Sequence, residues 1–164
     1  MYGYFTNGTY DFIEKLKTKS NTTPFLLMHT DDSALAYYEA PQQTLFQESR
    51  DYDIIASIGN LHEEGVASLY YTPVTEEGTP IFELDYKQRI KDLADEAGFL
   101  GARVLKPMAT GNYILLTLWS DEETYKMWRV QEDAFFPAQG KEDYIVKPPY
   151  EKTYIVGEKE EEEE

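Results

Sequence analysis

The chain contains no cysteine among its 164 residues, which excludes disulfides and thiolate-held metals. Histidine is nearly absent as well. His29 closes a predicted strand and His62 lies in an acidic loop, so both read as structural or solvated and no metal site is expected. Long apolar runs are missing: residues 114–119 form one of the longest, far short of the roughly 20 that span a bilayer. The first residues show no basic cluster followed by an apolar stretch, so a secretory signal is not expected and the cytoplasm is the expected location. Cations are scarce, with 15 Lys and Arg against 31 Asp and Glu, a net charge of −16. That balance argues against nucleic acid or an anionic membrane as partner, since both demand basic residues. Residues 158–164, six glutamates and one lysine, are expected to be a disordered acidic tail. No glycine-rich phosphate loop, nucleophile elbow or histidine pair at helical spacing occurs.

What the chain does have is apolar and aromatic side chains: 41% hydrophobic and 15% aromatic, with fourteen tyrosines. Such rings suit a pleated, half-buried sheet face. The clearest helix is predicted over 80–97, where Phe82, Tyr86, Ile90, Leu93 and Ala97 form one apolar stripe, with Pro80 in its first turn and Gly98 at its stop. Strands are predicted at 66–72, 99–105, 112–119 and 150–156, and residues 120–123 read as a capping box opening a helix through Gln131. The order β-α-β-β-α-β is a ferredoxin-like unit. A fainter version precedes it. Strands are expected at 2–6, 24–29 and 34–38, a helix at 9–17 burying Phe12, Ile13 and Leu16, and a second helix at 51–58 with Tyr52, Ile55 and Ile58 inward. The expected fold is therefore α+β: two ferredoxin-like halves, residues 1–65 and 66–157, forming an α+β barrel of antiparallel sheets with helices on one face. Such a chain is either a pseudo-dimeric monomer or a homodimer.

One stretch is specific. A strand closing on Leu118-Trp119 leads into Ser120-Asp121-Glu122-Glu123, a second Trp at 128, and then Asp133-Ala134-Phe135-Phe136-Pro137-Ala138-Gln139. Together with Val74-Thr75-Glu76-Glu77-Gly78 and Gly98-Phe99, it resembles the antibiotic-biosynthesis-monooxygenase superfamily. Within it, the chain is similar to the long IsdG-type heme-degrading monooxygenases and to the related TRAP signal-transduction proteins. The resemblance implies a heme site built from an Asn on the first strand, a Trp on the second helix and a His beyond. The Trp matches Trp128. The Asn position falls at Tyr70, or at Tyr71 in a register shifted by one, and the His position falls at Gln139. By that resemblance Trp128 walls the ring, Tyr70 stands on the oxygen side and Gln139 takes the ligand's place. Heme, or another small aromatic molecule, is the implied ligand.

The substitutions matter chemically, because an amide oxygen is a poor iron donor beside imidazole. Gln139 also lies eleven residues from Trp128 (139 − 128), one more than the pattern, and one helical residue turns a side chain by about 100°. Trp128, with Tyr125 at i−3, equally fits a core residue facing the sheet. Two functions follow: a heme-binding protein of the heme-degrading type, or a non-catalytic TRAP-like regulatory protein acting through protein contacts.

Overall fold

In the computed structural model, which describes residues 1–20, 24–42, 46–131 and 149–159, eight antiparallel strands close a barrel. The strands are β1 (Tyr2–Gly8), β2 (Phe25–His29), β3 (Ala34–Ala40), β4 (Arg50–Gly59), β5 (Gly65–Thr72), β6 (Phe99–Pro107), β7 (Tyr113–Trp119) and β8 (Tyr150–Val156). Around the wall they run β1-β3-β2-β8-β5-β7-β6-β4, and β4 returns to β1. Among the described residues three α-helices lie outside: α1 (Tyr10–Lys19), α2 (Thr79–Arg89) and α3 (Glu122–Arg129). None is long and apolar enough to cross a membrane.

Side-chain alternation sorts the strands' residues into two populations. Inward-facing Phe5, Leu26, Met28, Leu35, Tyr37 and Tyr52 of the first half mesh with Leu69, Leu105, Ile114, Leu116, Leu118 and Tyr154 of the second. The barrel interior is thus one core drawn from both halves. Outward-facing residues form two further clusters, one with Ile13 of α1 and one with Phe82, Tyr86, Ile90 and Leu93 beneath α2 and its extension. The apolar stripe of α2 is buried as expected, but the α-helix ends at Arg89 and residues Ile90–Asp95 tighten into a 3-10 helix. On α1, Ile13 is fully buried, whereas Phe12 is 50% exposed, its ring lying beside Gly8 of β1.

The largest departure from the expectation is residues 51–58, which are strand β4 and not a helix. Tyr52 and Ile54 face the interior, a bulge between Ile54 and Ala56 shifts the register, and Ile55, Ala56 and Ile58 then face the outer cluster. Tyr52, Ile55 and Ile58 recur at a three-residue spacing that imitates a helix stripe, but Tyr52 faces the interior and the two isoleucines the outer cluster. β-Branched isoleucines favour the strand.

The two strands that join the halves do so unequally. β4 pairs with β6 through seven register pairs, from Tyr52↔Pro107 to Gly59↔Gly101. β8 pairs with β2 through only Met28↔Val156 and His29↔Ile155. Beyond Val156, the Gly157 N–H donates to Leu27 O at 2.8 Å and the Lys159 N–H to the Tyr10 hydroxyl at 2.9 Å. Ordered chain therefore continues two residues into the segment expected to be tail, while residues 160–164 lie outside the described residues.

Candidate functional site

The face that α3 covers is built by strand alternation and one helix cap. Asp121 Oδ1 accepts the Thr124 N–H at 2.8 Å and starts α3. The cap is Asp121, one residue later than the expected Ser120. That backbone N–H holds the Asp121 carboxyl below the usual carboxylate range. The amphipathic turns of α3 then press Tyr125 and Trp128 onto the sheet.

Trp128 is 4% exposed and stacks on the fully buried Trp119, ring centres 5.0 Å apart at 29°. The Trp119 Nε1–H donates to Thr117 Oγ1 at 3.0 Å, so its one polar group is satisfied inside the cluster. Tyr70 packs against the same cluster, whereas Tyr71 faces the barrel interior. The structure thus brings Tyr70 and Trp128 to one face and sets Tyr71 apart from them. Gln139 lies outside the described residues.

A polar group absent from the sequence-based expectation sits beside Tyr70. Glu151 of β8 stands opposite Tyr70 in the β5–β8 register. It accepts the Ser68 hydroxyl at 2.8 Å, the Tyr125 hydroxyl in a short hydrogen bond, and Arg129 Nε at 3.3 Å. Burial, and then the bond to Glu151, push the Tyr125 phenol well above its ordinary pKa. Burial likewise raises Tyr70, with the nearby Arg129 charge opposing it. Both phenols stay protonated at neutral pH. The one sequence signal for Glu151 is a carboxylate on the same outward parity as Ser68 and Tyr70.

Residues 66–135 match the model of the Antibiotic biosynthesis monooxygenase family; Tyr70, Trp119, Tyr125 and Trp128 fall within the match and Glu151 of β8 falls outside it. That segment, 70 of the 164 residues, is similar to the family. The chain is 23% identical over 126 residues to a heme-degrading monooxygenase of Listeria monocytogenes, covering 77% of this chain and 75% of that one. It is 26% identical over 134 residues to the signal transduction protein TRAP of Staphylococcus aureus, covering 80% and 78%. Among solved structures, that of a major regulator of staphylococcal pathogenesis superposes with a TM-score of 0.85 at 21% identity, over 96% of this chain and 100% of that one. The last likeness concerns the fold alone.

The described part of the α3 face does not fit a heme held in the manner the resemblance implies. The Trp119–Trp128 stack leaves no gap for a porphyrin between the rings. Glu151, itself half-buried, occupies the space beside Tyr70 with three hydrogen bonds already made. The donor set is a phenol held in its neutral form, and both imidazoles of the chain lie on other elements: His29 ends β2 and His62 is exposed between β4 and β5.

Proposed function

We propose that this chain is a regulatory, TRAP-like member of the monooxygenase-type proteins, acting through protein contacts and not through heme oxidation. The observation that carries the reading is the closed α3 face, where Trp128 rests on Trp119 and Glu151 ties α3 to β8. Its support is physical: opening the face would break a buried ring stack and strip a carboxylate of its donors, which costs several kcal/mol in sum. The likeness to a signal transduction protein agrees with it.

The test is an absorbance titration of the purified protein with hemin, followed by ascorbate. The expected result is hemin that behaves as free, with no saturable Soret shift. A saturable shift that bleaches with ascorbate would replace this reading with the heme-degrading one. That second reading is favoured by the presence of Trp128 and Tyr70 on one face and by the Listeria relative. In it, Trp128 is the ring wall, Tyr70 the oxygen-side residue and Gln139 the vacant ligand position, so Gln139→His tightens hemin binding.

A further inference from the structure

The two mouths of the barrel meet their inward-facing charges differently. At one, the buried Arg103 of β6 donates from Nε to Glu39 Oε2 at 2.9 Å and from Nη1 to the Ala102 and Ile58 carbonyls at 2.8 and 3.1 Å. The Tyr37 hydroxyl donates to the same Glu39 oxygen at 2.7 Å. That mouth is closed by its own ion pair.

At the other mouth, strand parity aims two cations inward. Arg50 stands two residues before Tyr52, and Lys152 two before Tyr154, both members of the interior core. Their acidic neighbours Asp51, Asp53 and Glu151 take the alternate, outward positions, and Glu151 is engaged beneath α3. Among the described residues, neither Arg50 nor Lys152 forms an ion pair. In place of carboxylates they meet rings. Arg50 lies over Phe5 at 5.4 Å and donates to Asn7 Oδ1 at 2.8 Å. Lys152 Nζ is 6.0 Å from the centre of Tyr71, which stacks on Tyr150 at 4.7 Å and 10°.

The phenols of Tyr52, Tyr71 and Tyr154 converge on the same mouth: Arg50 hydrogen-bonds to the oxygens of Tyr52 and Tyr71, and Tyr154 senses its charge. Burial raises all three above their ordinary pKa, so at neutral pH they present O–H donors. In a chain of net charge −16, one inward rim thus gathers two cations, three phenolic donors and, among the described residues, no carboxylate.

We infer that this mouth binds a small oxyanion, a carboxylate or a phosphate group, through Arg50, Lys152 and the rim of tyrosines. It is separate from the α3 face, since β5 and β8 present their opposite sides to the two. Charge-assisted donors of this kind recognise such anions, and the flanking rings suit a carboxylate carried on an aromatic ring.

Backbone-amide NMR of the full chain, at constant ionic strength with chloride as the exchanged ion, tests this with two probes titrated separately: inorganic phosphate and benzoate. The expected result is a saturable shift of the Arg50, Tyr71 and Lys152 amides with at least one probe, which also tells the two anion types apart. Arg50→Gln or Lys152→Gln should weaken that binding about tenfold, the loss of one charge-assisted hydrogen bond. Lys152 is an exposed side chain whose replacement leaves the interior packed, so that variant tests the site even where Arg50→Gln impairs folding. No saturable shift with either probe, or a shift that survives both substitutions, overturns the proposal.

Discussion

Tyr125 carries a phenol whose proton is held by two causes, burial first and then the hydrogen bond it donates to Glu151. A tyrosine with a raised folded pKa contributes stability that is fully present below its unfolded value near 10. Above that value the unfolded chain gives up the proton and the folded chain does not, so stability falls as pH rises. Tyr113 belongs to the same class, raised by burial and by its 2.7 Å bond to Glu83. Urea unfolding from pH 8 upward should show stability declining from about pH 10. Tyr125→Phe should make that decline shallower while costing about 1 kcal/mol at pH 8, the worth of one hydrogen bond. An alkaline limb identical in the variant would mean that the Tyr125 proton is not held as described. This residue also marks what the sequence made legible. Trp128 and Tyr70 stand out by pattern and resemblance, but the group that fastens them does not. The Tyr125–Glu151 bond spans 26 residues and the Ser68–Glu151 bond 83, and no local periodicity reports contacts at such separations.

Among the elements, β4 shows most clearly where local pattern and tertiary pairing part. Tyr52, Ile55 and Ile58 carry a helix-like spacing, yet a bulge lets Ile55 and Ala56 both face outward while Tyr52 faces the interior. Pairing of Ile54 with Leu105 of β6, 51 residues away (105 − 54), decides the outcome. By contrast, α2 was readable because its stripe and its Pro80 are local features, and β8 because its alternation is unbroken. The end of β4 depends on backbone geometry that a side chain cannot adopt. Gly59 has φ +68°, and a Cβ there would lie 2.3 Å from the Leu100 carbonyl oxygen. Gly59→Ala should therefore cost about 2 kcal/mol or more, through left-handed strain and loss of the Asn60 N–H···Leu100 O bond. Equilibrium denaturation measures it, and a cost below about 0.5 kcal/mol, the range of ordinary surface substitutions, would show that the β4–β6 end is not tightly set.

At the scale of the molecule, the interior core takes side chains from both halves, so neither half buries its inward face without the other. That much follows from two amphipathic sheets read in sequence, since each needs a partner for its apolar side. How the halves are stitched does not follow, because strand neighbours across a barrel are set by closure and not by any one segment. The stitching is uneven: seven register pairs hold β4 to β6, and two hold β8 to β2. A cylinder with one thin seam does not breathe evenly. Spontaneous openings should part the wall between β2 and β8 while the opposite side stays zipped, exposing the inner faces of Met28 and Tyr154 without global unfolding. Native-state hydrogen exchange would record this as a hierarchy. The amides of Ile155 and His29 should exchange through a low-energy, denaturant-insensitive opening, and those of Ile58 and Ala102 only with the whole barrel. Equal protection on the two sides would mean that the barrel opens as one body, however sparsely β2 and β8 are joined.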